Sequence, residues 1–164
     1  RVMSLKHQFL RLQFNLYPVY RRTGAKITYI SEDYLEVKVK IPFNQKTKNI
    51  FGTIYGGTIY SAIDPIYLMM LYRIFKKQYI FWDKSAFIEY KKPARSSLHA
   101  QFILQKEEIV NIKELLKSNF KINRTYNIEL LDSSGDVCAT CQKVVHIRHK
   151  GEEEAFIPET MEQS

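Results

Sequence analysis

Apolar and polar positions alternate along the chain with two periods, and the switches between them mark its elements. From Ser4 to Leu16 the apolar residues Leu5, Phe9, Leu12 and Leu16 are spaced 4, 3 and 4 apart, one stripe of a helix that Pro18 stops. Lys26 to Ile41 reads as two strands. In the second, Leu35, Val37, Val39 and Ile41 alternate with Glu36, Lys38 and Lys40, and Ser31-Glu32-Asp33 supplies the turn before it. After the polar connection Pro42–Lys48, the segment Phe51–Gly57 opens a helix running to about Lys77. That helix is apolar nearly all round, which predicts burial on most of its circumference. Gln78–Lys92 is rich in β-branched and aromatic residues and reads as a long strand, turned at Pro93–Ser97 into a return strand, Leu98–Leu104. Lys106–Lys117 is a short amphipathic helix with Ile109, Ile112, Leu115 and Leu116. Phe120–Leu131 and Val137–Arg148 form a hairpin around Asp132–Asp136.

The strands run mainly as hairpins, so the sheet is expected to be antiparallel. One long apolar helix needs cover, and a curved antiparallel sheet wrapped around it supplies that cover, an α+β fold. The stretch Asn49–Tyr72 holds a single charge, Asp64, and has the length of a membrane span. Gly52, Gly56, Gly57 and the Asp64-Pro65 pair argue against that reading, since a lone mid-bilayer carboxylate costs about 2.5–3.5 kcal/mol. No membrane span is expected.

The chain's 164 residues fit one domain. Its 25 Lys and Arg against 17 Asp and Glu hide an asymmetry. Glu152, Glu153, Glu154, Glu159 and Glu162 lie in a tail, residues 151–164, that has no Lys or Arg. Residues 1–150 therefore carry +13, from 25 basic and 12 acidic side chains. They form the predicted domain, with an added N-terminal helix over about 4–17. Such a body suits an anionic partner: nucleic acid, anionic lipid or a phosphorylated small molecule. The acidic tail is expected to be solvated or loosely docked. Two Cys exclude a disulfide scaffold and fit a reducing, cytoplasmic setting. Residues 1–17 contain Arg1, Lys6 and Arg11 and no secretory apolar core, and a chain starting at Arg1 is expected to lack its initiator segment.

Asn49-Ile-Phe-Gly52-Thr-Ile-Tyr55-Gly56-Gly57, then Asp64, Trp82-Asp83-Lys84 and Lys92-Pro93-Ala94-Arg95 stand in an order that resembles the hotdog-fold thioesterase superfamily. The resemblance is closest to a family of thioesterase-like domains of unknown function, and more distant to the phenylacetyl-CoA thioesterase type. It covers about residues 26–148. The phenylacetyl-CoA type carries Asn, Gly, His-Gly-Gly and a helical acid, onto which Asn49, Gly52, Gly56, Gly57 and Asp64 fall. Its active-site His position holds Tyr55 here, which puts turnover, though not ligand binding, in question. The resemblance implies a homodimer or homotetramer with sites between subunits, and an acyl-CoA or related acyl thioester as substrate. Coenzyme A enters only as part of that substrate, with no further cofactor.

The residues themselves suggest the chemistry. Gly56-Gly57 opens a helix whose first N–H groups lack intrahelical partners, so Gly57 N–H can face a developing oxyanion. The same glycines could instead serve only close packing under the sheet. Asp64 in an apolar helix, near Tyr60 and Ser61, must be paired, solvated or protonated. It reads either as a general base or nucleophile, or as a carboxylate satisfied by Tyr or Ser hydroxyls or by Lys84. Pro65 removes one helical hydrogen bond and leaves an acceptor nearby. Asn49 is expected to orient the loop or a water, and Trp82, Asp83 and Lys84 to line the pocket. Arg95, more than Lys91 and Lys92, is expected to meet the phosphates of coenzyme A. Cys138, Cys141, His146 and His149 lie on or beside one strand without zinc-finger spacing, so no metal is expected. The leading function is acyl-thioester hydrolysis. The alternatives are acyl-CoA binding without turnover and a basic nucleic-acid or membrane-surface module, and no nucleic-acid motif supports the last.

Overall fold

The computed structural model describes residues 3–156. Two N-terminal helices, α1 (Leu5–Leu16) and α2 (Pro18–Arg22), precede the strands β1 (Lys26–Ile30) and β2 (Glu36–Ile41). The central helix follows in two pieces, α3 (Gly56–Ile63) and α4 (Ile66–Phe75). Then come β3 (Ile80–Tyr90), β4 (Leu98–Ile103), α5 (Lys106–Ser118), β5 (Lys121–Leu131) and β6 (Val137–Arg148). A single 3₁₀ turn, Glu153–Ala155, begins the acidic tail, and Lys121 reaches Glu153 there at 2.8 Å. Phe156 packs against Phe120 and His149, and residues 157–164 of the tail lie outside the described residues.

All six strands join one antiparallel sheet in the order β1-β2-β4-β5-β6-β3. Alternation in the sequence becomes alternation in burial. Val37, Val39 and Ile41 of β2 and Leu98, Ala100 and Phe102 of β4 face the core, while the residues between them lie toward solvent. Ile59, Ala62, Ile63, Ile66, Met70 and Leu71 of α3 and α4 pack into the same core. The long helix predicted over this segment is interrupted at Asp64-Pro65, because proline carries no N–H to continue the ladder. Lys76 then closes α4 in the left-handed region, with φ of 49°. Among the described residues no helix is long and apolar enough to cross a membrane.

The N-terminal helix forms where the apolar spacing predicts it. Its predicted stripe, Leu5, Phe9, Leu12 and Leu16, points outward, with exposures between 51% and 83%. At 100° per residue the opposite face carries His7, Leu10 and Phe14, and this face packs inward. Asn15 fixes the helix to β1 by accepting the Ile27 N–H at 2.8 Å and donating to the Ile27 carbonyl at 2.9 Å.

Candidate active site

The break at Asp64-Pro65 leaves backbone carbonyls that the helix does not serve, and side chains serve them instead. The buried Tyr20 hydroxyl donates to the Ala62 carbonyl at 3.0 Å. Lys143 of β6 donates to the carbonyl of Asp64 itself. The same ammonium group reaches Asp64 Oδ1 at 2.7 Å and Asp83 Oδ2 at 3.0 Å. It lies 5.7 Å from the centre of the Tyr60 ring. The Lys143 side chain is 0% exposed, against 42% for Asp64. The counter-ion of Asp64 is therefore Lys143, and not Lys84 or a hydroxyl alone.

Strand parity explains this. The core-facing residues of β6 are Ala139, Cys141, Lys143, Val145 and Ile147, all fully or nearly fully buried. A lysine on an apolar strand face is a readable sign of a buried ion pair, and it was the sign missed in the sequence. Asp83 arrives from β3 through an irregularity. Asp83 pairs with Val145 and Ser85 with Val144, so Lys84 is the extra residue of a bulge. The bulge brings Asp83 and, beyond it, Ala86, Ile88 and Tyr90 to the helix side of the strand, opposite Val145, Lys143, Cys141 and Ala139. Burial pushes the Asp83 carboxyl above its ordinary range, opposed by the Lys143 hydrogen bond and charge. Burial, and then the neighbouring Asp64 carboxylate, push the Tyr60 hydroxyl up to about 12.

A cavity of about 690 Å³ runs along α3 between that helix and the N-terminal pair of helices. Phe14, Tyr17, Val19 and Tyr20 form its outer wall. Tyr55, Gly57, Tyr60, Ser61 and Asp64, five of the predicted site residues, line its α3 side. At the start of α3 the N-cap residue is Tyr55, whose side chain makes no capping bond, so the first amides carry no side-chain acceptor. The Tyr55 ring lies over Gly57: a Cβ on Gly57 would stand 2.4 Å from it. Gly56 faces the other way, under Tyr90, whose hydroxyl donates to the Gly56 carbonyl at 3.1 Å.

The remaining predicted residues sit apart from the cavity wall. Asn49 shapes the preceding loop: its Oδ1 accepts the N–H groups of Phe51 at 3.0 Å and Thr53 at 3.1 Å, around Gly52 with φ of 70°. Trp82 faces the opposite side of the sheet and lies against His146, the two rings tilted by 33° with 4.2 Å between ring centres. Lys84 is exposed at the bulge. Arg95 is exposed in the Pro93–Ser97 turn. Lys91 pairs with Glu89 at 2.9 Å, and Lys92 bridges Asp132 at 2.9 Å and Asp136 at 2.6 Å across the β5–β6 turn. The Lys92 hydrogen bond holds the Asp132 carboxyl down at about 2.

The six-stranded antiparallel sheet and the broken helix packed on it make this an α+β domain. A family model described as a domain of unknown function (DUF4442) matches residues 6–147, and the chain belongs to that family. No curated protein matches the sequence. Solved structures do. One is PA5026 of Pseudomonas aeruginosa, a protein of unknown function whose description suggests a thioesterase. It superposes with a TM-score of 0.77 at 16% identity, over 87% of this chain and 95% of its own. The thioesterase HI1161 of Haemophilus influenzae gives a TM-score of 0.64 at 15% identity, over 93% and 95%. A point mutant of the thioesterase PA1618 of Pseudomonas aeruginosa gives 0.64 at 14%, over 91% and 96%. The chain shares its fold with these proteins.

Proposed function

We propose that the protein is a hotdog-fold hydrolase of acyl-CoA or a related acyl thioester, working as a homodimer or homotetramer. The observation that carries this reading is Asp64, a carboxylate at a helix break, fixed by a buried lysine on the wall of a largely apolar cavity. Water attacks the thioester carbonyl while Asp64 accepts its proton, and the negative oxygen formed meets the Gly57 N–H. Collapse of that intermediate expels the thiolate and gives the carboxylic acid and free thiol. A thiolate leaves readily, so no dedicated acid is required.

Asp64 stands seven residues beyond Gly57, about 10.5 Å along a helix axis at 1.5 Å per residue. Both groups must lie about 3 Å from one carbonyl. One straight helix does not easily meet that condition, and in the proposed dimer Gly57 of one protomer and Asp64 of its partner supply the two groups. The exposed Arg95 is the proposed contact for the phosphates of coenzyme A. Asn49 acts indirectly, by shaping the loop before α3.

A second reading, an acyl-thioester-binding protein without turnover, is favoured by the Tyr55 ring over Gly57. One experiment separates the two: free-thiol release from acyl-CoAs of graded chain length, by wild type and Asp64→Asn. The hydrolase reading expects release by wild type and a loss of about 10²–10⁴-fold in the variant. Equal rates remove Asp64 from the mechanism. Saturable binding with no release establishes the second reading.

A further inference from the structure

An ammonium group has three N–H donors, and Lys143 spends all three on two residues: the Asp64 carbonyl, Asp64 Oδ1 and Asp83 Oδ2. Asp83 Oδ1 is buried and has no hydrogen-bond partner among the described residues. The Tyr60 hydroxyl also bonds the Asp64 carboxylate, but Lys143 is the cation that both carboxylates share. Removing the lysine leaves both without their counter-charge.

Stability alone is a poor reason for such an arrangement. Buried ion pairs are often matched or surpassed by apolar residues of similar volume, because desolvating the charges offsets their attraction. Position is a better reason. The bond to the carbonyl fixes the backbone at the break, the bond to Oδ1 fixes the carboxylate, and both start from one nitrogen. The orientation of Asp64 relative to its own helix is thus set from β6. Asp83 ties the same nitrogen to β3, at the bulge. Reacting groups lose about 10²-fold in rate for a displacement of 1 Å, so fixing the carboxylate bears directly on turnover.

We infer that Lys143 is a positioning residue, which aims the Asp64 carboxylate into the cavity and anchors it to β3 through Asp83. The inference rests on the hydrolase reading. Its test uses Lys143→Met, Asp64→Asn and Asp83→Asn, alone and combined, with kcat and KM from thiol release and Tm from thermal unfolding. Lys143→Met is expected to lower kcat by about 10²-fold with KM changed less than about threefold. In the Asp64→Asn background it is expected to cause no further loss, because both changes act on one group. Lys143→Met also lowers Tm, and adding Asp83→Asn raises Tm again without restoring kcat. A lysine that served only the core would recover kcat together with Tm, and that result overturns the inference. So do losses at positions 64 and 143 that multiply, or a folded Lys143→Met with unchanged kcat. Should Lys143→Met fail to fold, the Lys143→Met/Asp83→Asn pair carries the same comparison. Equal thiol release by wild type and Asp64→Asn removes Asp64 from the mechanism and overturns this inference while leaving the hydrolase reading standing, whereas binding with no release by wild type overturns the hydrolase reading itself.

Discussion

Tyr20 and Lys143 do at the helix break what backbone amides do elsewhere. Each gives a hydrogen bond to a carbonyl in the turn that Pro65 interrupts. Tyr20→Phe keeps the ring and removes the donor, so it is expected to cost about 1 kcal/mol, the net value of one hydrogen bond. A lowered urea midpoint with unchanged m-value measures that loss. Asp64 was readable as the singular residue of this helix because one carboxylate in an apolar run needs a partner. The partner was not readable by the same route, since it depends on which strand crosses the helix at that height. Only the parity of β6 points to Lys143. The same parity places His146 on the opposite face, against Trp82. Burial, and then the charges of Lys84, Lys121 and Arg148, hold His146 below its ordinary value. The folded protein therefore favours neutral imidazole. This contribution to stability is present above the unfolded value, about 6.5, and is lost as pH falls through the lower folded value. Trp82 is the only tryptophan, so its fluorescence is expected to change with a midpoint below about 6.5, as protonation places an imidazolium against the indole. The transition should vanish in His146→Gln.

At the scale of elements, period alone identified nearly every helix and strand, including the β5–β6 hairpin around Asp132–Asp136. It did not identify which face of α1 is buried. Leu5, Phe9, Leu12 and Leu16 form the stronger apolar stripe, yet Asn15 turns the helix the other way by binding both backbone groups of Ile27. Two specific hydrogen bonds and the packing of Leu10 and Phe14 outweigh the count of apolar residues. Leu12→Ser is accordingly expected to change stability by less than about 0.5 kcal/mol, as for other surface substitutions. Leu10→Ala, on the inner face, is expected to cost about 2 kcal/mol or more. Chemical unfolding of the two variants side by side checks the orientation of α1. The bulge at Lys84 was equally hidden, because one extra residue in a strand leaves no mark on composition. It nevertheless decides that Asp83 faces Lys143 while Trp82 faces His146.

At the scale of the molecule, the decisive element is β3. It stands at the end of the sheet, and beyond it no strand follows among the described residues. Its 11 residues are mostly accessible and include the exposed Trp82, Phe87 and Tyr90. An edge of that length and apolarity invites pairing with another chain, and proteins that remain monomeric shorten, bend or charge such edges. Pairing β3 with β3 of a second copy would continue the sheet across a two-fold axis. It would also bring the bulge, with Asp83, close to the subunit boundary, where the proposed function puts a site shared by Gly57 and Asp64. Phe87→Lys adds a charge to this edge without touching Asp64, Lys143 or the cavity wall. Light scattering is expected to give wild type a mass of at least twice the 19.4 kDa of one chain, and the variant a single-chain mass. The monomeric variant is expected to release thiol at least about 10²-fold more slowly, because the oxyanion donor and the base then belong to separate molecules. Full activity in a verified monomer would show that one chain holds the whole site, and the Gly57–Asp64 spacing would then have to be bridged within a single cavity.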